Sequence, residues 1–180
     1  MLNLNNTTLL VIDVQGKLAQ LMYQKETFFA NVERMVRGAQ ILDLPIIWTE
    51  QVPEKLGETI LQLREPLLET AQAIAKVSFS CCGNQPFMAQ LKGTGCKQVL
   101  MTGLETHICV YQTTLDLLDI GYEVQIVTDA VSSRTLENKQ IGLERMKAGG
   151  ASLTSTETAL FELLRIAEGD KFRAISKLVK

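Results

Sequence analysis

The feature that most constrains the fold is an alternation between short apolar runs and segments with helically spaced apolar residues. The runs are rich in leucine and β-branched residues, as in strands that are buried on both faces. They lie at Thr8–Val14, Pro45–Thr49, Ala71–Val77, Val99–Met101, Tyr122–Val127 and Ala151–Thr154. Helices are predicted at Thr27–Asp43, Pro86–Leu91, Leu136–Ala148, after Cys109, from Thr156, and near Phe172–Val179. This alternation predicts a single α/β domain over residues 1–180, with a parallel sheet covered by helices on both faces.

Residues with chemically active side chains fall where the predicted strands end. Asp13 ends the first run, Lys76 lies in the third, and Cys109 follows the fourth. The segment Glu50–Glu58 is predicted to be a loop after the second strand. Ligands bind beyond the carboxyl ends of the strands in open parallel sheets, so we expect these residues to share one rim.

Cys109 is a candidate nucleophile because of its predicted position at the start of a helix. The preceding strand, Val99–Met101, is followed by an apparent break at Thr102–Gly103, and Gly121 ends the helix. The unpaired N–H groups of a helix N-terminus carry partial positive charge, which favours a thiolate. The alternative is that Cys109 is a small buried hydrophobic residue, as many free cysteines are. The predicted buried face of the helix carries Tyr111, Thr114, Leu115 and Leu118.

A cysteine nucleophile needs a base, and Asp13 is the better of two candidates. The only histidine, His107, lies two residues before Cys109, which is an awkward position for a base, and a loop role suits it better. Burial beside a thiol raises the pKa of a carboxylate, although an aspartate here can instead cap loop amides. Lys76 lies in an apolar context, where it either pairs with Asp13 or extends towards solvent.

Charge and composition make several partners and cofactors poor candidates. The net charge is −2 and no cluster of Lys or Arg is present, which disfavours nucleic acid and anionic membranes as partners. No apolar run approaches the roughly 20 residues that span a bilayer. The start, MLNLNNTT, lacks a basic region followed by an apolar one, so we expect a cytoplasmic location with reduced thiols.

The sequence offers no recognisable metal or nucleotide motif. Cys81 and Cys82 are adjacent, and neither they nor Cys96 form a CxxC pair. Gly103 and Gly121 form no GxGxxG fingerprint. We therefore expect no metal and no cofactor. The polar groups of Thr49–Gln51 either contact a ligand or belong to an ordinary loop.

Several of these segments resemble the isochorismatase-like cysteine hydrolase superfamily. The resemblance lies in LLVIDVQ with Asp13, AKVSFS with Lys76 and GLETHICVYQTTLDLL with Cys109. It continues through VTDAVSSR, LERMKAGGA and FRAISKLVK, and so covers nearly the whole chain. The segment TEQVPEKLG, residues 49–57, is most similar to the isochorismatase-domain-containing proteins.

The resemblance implies a three-layer α/β/α fold whose six-stranded parallel sheet has the order 3-2-1-4-5-6. It implies a catalytic triad of Asp13, Lys76 and Cys109, and a non-proline cis peptide bond between Leu104 and Glu105. The backbone N–H groups of Glu105 and Cys109 would form the oxyanion hole. Gln15, Glu50, Gln51 and Leu104 are candidate substrate-binding residues. Family members also lead us to expect a homo-oligomer.

Two departures from the family pattern narrow the expected activity. Nicotinamidases of the superfamily carry a DxH-type metal motif after the second strand, where this chain has Thr49–Gln51. Authentic isochorismatases lack the nucleophilic cysteine, so Cys109 argues against isochorismate as the substrate. We therefore predict a hydrolase that cleaves a small amide, or a related C–N or ester bond, through a thioester. The alternative is a binding or redox-sensing protein whose reactive thiol is Cys109, an alternative that the adjacent pair Cys81–Cys82 keeps open.

Overall fold

The computed structural model describes residues 1–180 as a six-stranded parallel sheet with the order β3-β2-β1-β4-β5-β6. The strands are β1 (Thr7–Ile12), β2 (Ile46–Gln51), β3 (Ile74–Lys76), β4 (Gln98–Leu104), β5 (Glu123–Ser132) and β6 (Ser152–Thr154). Both the α/β class and the strand order are confirmed.

Nine α-helices connect or flank the strands. They are α1 (Gly16–Ala19), α2 (Lys25–Ile41), α3 (Pro53–Leu56), α4 (Leu61–Leu68), α5 (Gln85–Gly93), α6 (Tyr111–Asp119), α7 (Leu136–Ala148), α8 (Thr156–Leu164) and α9 (Gly169–Leu178). Short 3₁₀ turns lie at Leu4–Asn6 and Cys81–Gly83, and a π-helical turn lies at Thr106–Val110. None of these helices is long and apolar enough to span a bilayer.

The sheet separates two hydrophobic cores, which explains the continuous apolar runs. Successive side chains of a strand point to opposite faces, so Leu9 and Val11 of β1 enter one core and Leu10 and Ile12 the other. The first core packs against α2, α4, α8 and α9, and the second against α5, α6 and α7. Burial on both faces holds the strand ends, and the residues that follow them, in defined positions.

The predicted break at Thr102–Gly103 was wrong, because β4 continues to Leu104. The pairing register between β4 and β5 shifts between Met101 and Gly103, as at a β-bulge. Gly103 has φ +112, and a Cβ built on it would lie 2.1 Å from the carbonyl oxygen of Ile12. The glycine therefore permits close packing of β4 on β1 rather than ending the strand.

The segment around Cys109 also differs from the predicted regular helix. Cys109 lies in the π-helical turn, and α6 begins only at Tyr111. A π turn contains more residues than an α turn, so it changes the rotational position of the helix that follows. Of the predicted buried face only Thr114 is fully buried, together with Thr113 and Leu117, while Tyr111, Leu115 and Leu118 are half-buried.

Two strand boundaries and one helix also differ from the prediction, each for a local reason. β2 extends through Glu50 and Gln51, so these residues belong to a strand and not to the predicted loop. Helix α4 was not predicted, because Pro66 interrupts its sequence pattern even though Leu63, Pro66 and Leu67 face the core. β5 continues past the predicted end at Thr128–Asp129, since Ala130 and Val131 are buried beyond it.

Candidate active site

The strand order brings three separated residues to the carboxyl edge of the sheet. Asp13 directly follows β1, Lys76 ends β3, and Cys109 lies in the turn after β4. β2 and β4 both pair with β1, and β3 pairs with β2, so these ends are neighbours. Lys76 Nζ lies 2.7 Å from Asp13 Oδ2, and Asp13 and Cys109 line one pocket.

The Asp13 carboxylate is buried and held at both oxygens. Lys76 pairs with Oδ2, and the Thr49 hydroxyl donates a hydrogen bond of 2.7 Å to Oδ1. Asp13 has φ +53, a left-handed conformation that aspartate tolerates better than most residues. Thr49, which the sequence offered as the end of a strand and as a possible ligand contact, therefore orients the carboxylate from the adjacent strand.

Lys76 does not extend towards solvent, because its ammonium group is enclosed by acceptors. Besides Asp13 it contacts Gln51 Oε1 at 2.6 Å and the carbonyl oxygens of Ser78 and Phe79 at 3.1 Å each. Its side chain has no exposed area. An ammonium group is buried at tolerable cost only when it is paired and hydrogen-bonded, and this network meets both conditions.

Burial strengthens the hold of the Cys109 thiol on its proton. Burial, followed by the charge of Asp13, raises the pKa of Cys109 to about 12, although Lys76 acts in the opposite direction. Lys76 therefore favours the thiolate, but its effect is smaller than those of burial and of the Asp13 charge. Burial also raises the pKa of Asp13, against the lowering effect of Lys76. A thiol that holds its proton thus faces a carboxylate whose affinity for protons is raised.

We expect alkylation of Cys109 to be slow at pH 7 and strongly pH-dependent. With a pKa of about 12, the reactive thiolate fraction should increase about tenfold per pH unit between pH 7 and pH 9. Iodoacetamide labelling followed by peptide mass mapping measures this rate. A rate for Cys109 that stays constant over this range would contradict a protonated resting thiol.

The pocket beside Cys109 is small and mostly apolar, with a volume of about 90 Å³. Gln51, Leu104 and Glu105 line it as the sequence predicted, and the Leu104–Glu105 peptide bond is cis as the resemblance implied. The apolar walls that the sequence did not identify are Leu18, Leu56, Phe79 and Ile108. They gave no sequence signal, because an apolar residue in a connecting segment looks the same whether it faces a core or a ligand.

Gln15 and Glu50 do not line this pocket, contrary to their predicted role in substrate binding. The Gln15 amide nitrogen donates to the Gly57 carbonyl at 2.6 Å, and its amide oxygen accepts from the Gln51 backbone N–H at 2.6 Å. Glu50 accepts hydrogen bonds of 2.6 and 2.8 Å from the backbone and hydroxyl of Thr59. Both side chains instead anchor the segment that carries Leu56 over the site.

Two further candidate residues, His107 and Cys81, do not line the pocket. His107 Nδ1 lies 3.0 Å from the Ser133 hydroxyl, and the histidine does not line the pocket. Cys81 is fully buried with its sulfur 3.9 Å from the Thr49 hydroxyl, and burial raises its pKa to about 12. No group of three or more His, Cys, Asp or Glu side chains is arranged to hold a metal ion.

Comparison with known proteins yields one family. Residues 7–158 match the family described as the isochorismatase domain. The secreted isochorismatase effector Isc1 of Phytophthora sojae is 38% identical, over 98% of this chain and 85% of that protein. The mouse isochorismatase domain-containing protein 2A is 36% identical, over 97% of this chain and 83% of that protein.

Solved structures share the fold over nearly the whole chain. The MAR1 ribonuclease of Caenorhabditis elegans has a TM-score of 0.91 and 35% identity, covering 99% of this chain and 91% of that one. YcaC of Pseudomonas aeruginosa was solved with hexane-2,5-diol and covalent acrylamide. It has a TM-score of 0.92 and 28% identity, and the match covers 98% of this chain and 90% of that one. YcaC of Escherichia coli is described as an octameric hydrolase of unknown specificity. It has a TM-score of 0.92 and 26% identity, and the match covers 98% of this chain and 88% of that one.

Proposed function

The chain belongs to the isochorismatase family, and we propose that it is a cysteine hydrolase that cleaves a small amide, or a related C–N or ester bond. One observation carries the proposal. The protonated thiol of Cys109 and the buried carboxylate of Asp13 line the same small pocket at the carboxyl edge of the sheet. Such a pair can generate a thiolate at the moment when a substrate carbonyl is in place.

In the first half of the proposed reaction, Asp13 accepts the proton of Cys109 and the thiolate attacks the carbonyl carbon. The electron pair of the C=O bond moves to oxygen, and the backbone N–H groups of Glu105 and Cys109 stabilise the resulting oxyanion. The C=O bond re-forms as the C–N bond breaks. Protonated Asp13 donates its proton to the leaving nitrogen, which leaves an acyl thioester on Cys109.

In the second half, Asp13 takes a proton from water, which attacks the thioester. The C–S bond breaks, Cys109 regains a proton from Asp13, and the carboxylic acid leaves. Lys76 lowers the pKa of Asp13 and orients its carboxylate between proton transfers, since its ammonium lies 2.7 Å from the carboxylate. The same carboxylate thus serves both steps.

Two solved neighbours support parts of this proposal. Acrylamide, a small amide with an electrophilic double bond, is covalently bound in the P. aeruginosa protein. The E. coli protein is described as an octameric hydrolase, which supports both hydrolysis and a homo-oligomeric state for this chain. Because both share the fold over nearly the full length, their descriptions favour a hydrolase that accepts small molecules.

The site features favour this proposal over two alternatives. A redox sensor needs an accessible cysteine of low pKa, whereas the pKa values of Cys81, Cys82 and Cys109 are all raised, chiefly by burial. The C. elegans neighbour is called a ribonuclease. Here Lys76 and Arg134 are paired with the pocket residues Asp13 and Glu105, and neither cation is free to bind a phosphate backbone.

A panel of small amides and esters tests the proposed function. We expect release of ammonia or alcohol by the wild type, its loss in Cys109→Ala, and its retention in the matched control Cys96→Ala. Rapid acid quenching should trap an acyl adduct on Cys109 that mass spectrometry can detect. Because the site offers no metal ligand set, a chelator should leave turnover unchanged. Turnover that persists in Cys109→Ala, or a panel without any substrate, would refute the proposal.

A further inference from the structure

We propose that the substrate's acyl portion is a short, uncharged aliphatic chain of about three to five carbons, an inference that rests on the proposed function. Its first support is the size of the pocket. An apolar cavity of about 150 Å³ holds benzene, whereas the pocket beside Cys109 has a volume of about 90 Å³. The group attached to the reacting carbonyl must therefore be smaller than an aromatic ring.

The second support is that Asp13 and Gln51, two polar side chains of the pocket, are already engaged within the protein. Asp13 is held by Lys76 and Thr49. The Gln51 amide oxygen accepts from Lys76 at 2.6 Å, and its nitrogen donates to the Val77 carbonyl at 2.6 Å. No side-chain donor is left for a polar group on the acyl chain, and burying an unpaired polar group is costly. This disfavours an acyl chain that carries hydrogen-bond acceptors, and the mostly apolar walls favour an aliphatic one.

The third support is the negative charge of Glu105. Glu105 lines the pocket, and its Oε1 accepts from the backbone and side chain of Arg134 at 3.3 and 3.0 Å. Its second oxygen, Oε2, has no donor from the protein. This free acceptor is compatible with the N–H of an amide, but it repels a carboxylate. Arg134 is already paired with Glu105, so it is not free to neutralise an acidic acyl chain.

The exposure of the walls indicates where chain length is limited. Leu104 is fully buried, whereas Leu56 and Phe79 are 37% and 55% exposed and lie at the mouth of the pocket. A longer chain would have to pass between the mouth residues. One methylene group more or less in an apolar pocket changes specificity by about 10- to 200-fold, so Phe79 should set the upper length.

Matched substrates test the inference. We expect kcat/KM for butyramide to exceed that for succinamate, which replaces its methyl group by a carboxylate, by about 100-fold or more. Hexanamide and nicotinamide should be at least about tenfold poorer than butyramide. Phe79→Ala should raise the ratio of hexanamide to butyramide turnover about tenfold, and Phe161→Ala, at an exposed phenylalanine of α8, should not change it.

A measurement without turnover separates this inference from the proposed function. Butyraldehyde and succinic semialdehyde each add a thiol across the C=O bond, so that a C–S bond forms and the thiol proton goes to oxygen. We expect butyraldehyde to protect Cys109 from iodoacetamide at concentrations about 100-fold lower than succinic semialdehyde. Protection in this order without any amide turnover would refute the proposed function alone. Succinamate or nicotinamide cleaved through Cys109 as well as butyramide, or equal protection by both aldehydes, would refute the inference.

Discussion

Asp13→Asn should lower kcat/KM for the best amide substrate about a thousandfold or more, nearly as much as Cys109→Ala. The side chain keeps its shape but cannot accept the thiol proton. Burial, the largest cause of the raised pKa of Cys109, persists in the variant, so few thiols ionise at pH 7 without a base. Steady-state kinetics of the two single variants and the double variant measure the effect. Because the residues act as a unit, the double variant should be little worse than either single one.

Asp13→Asn should also make the Cys109 thiol more reactive towards alkylating reagents, although turnover of the amide falls. The Asp13 carboxylate is one of the causes that raise the pKa of Cys109, so its removal should lower that pKa. We expect faster alkylation of Cys109 by iodoacetamide at pH 8 in Asp13→Asn than in the wild type. A surface control, Asp119→Asn, should change neither rate. Near-wild-type turnover in Asp13→Asn would show that another residue is the base, and His107 would be tested next.

Lys76→Met should destabilise the fold by about 3–5 kcal/mol at pH 7, the usual cost of removing one partner of a buried ion pair. The substitution leaves the Asp13 carboxylate buried without its ammonium partner. Lys171 and Asp43 form an ion pair of the same length, 2.7 Å, but their side chains are 48% and 80% exposed. Lys171→Met should therefore cost less than about 1 kcal/mol. Urea denaturation of both variants measures the difference.

The cost of Lys76→Met should fall as the pH falls. Burial already raises the pKa of Asp13 above its ordinary value of 3.8, and the loss of Lys76 removes the largest effect that lowers it. A carboxyl group whose pKa is raised in the folded state adds to the free energy of unfolding when it is protonated. This contribution is fully present below the unfolded-state pKa and is lost as the pH rises through the folded-state pKa. The variant should therefore approach wild-type stability near pH 4 and differ most above neutrality.

A second substitution distinguishes the buried charge from a packing defect. Adding Asp13→Asn to Lys76→Met removes the unpaired carboxylate and should restore at least about half of the lost stability at pH 7. If the double variant is no more stable than Lys76→Met alone, the cost arises from lost packing and not from charge. A pH-independent cost for Lys76→Met would lead to the same conclusion.

Local patterns were sufficient to predict the α/β class and to place Asp13, Lys76 and Cys109 near the ends of strands. Leu9–Ile12 and the other apolar runs mark strands because a strand buried on both faces needs an apolar residue at nearly every position. Residues directly after such strands, such as Asp13, lie at the carboxyl edge of the sheet by connectivity alone. The order of the strands and the cis bond before Glu105 came from the resemblance of whole motifs to a family, and not from periodicity.

Only the tertiary structure decided what these residues are able to do. Whether Gln15 meets a substrate or anchors the chain depends on Gly57, and whether Cys109 is ionised depends on the depth of its burial and on Asp13. The pocket wall Leu18 comes from α1, whereas Phe79 comes from the segment after β3. Desolvation and electrostatic interaction depend on distances in space between residues that are far apart along the chain. A local sequence pattern therefore predicts where a side chain is placed, but its pKa and its partners are determined by the folded structure.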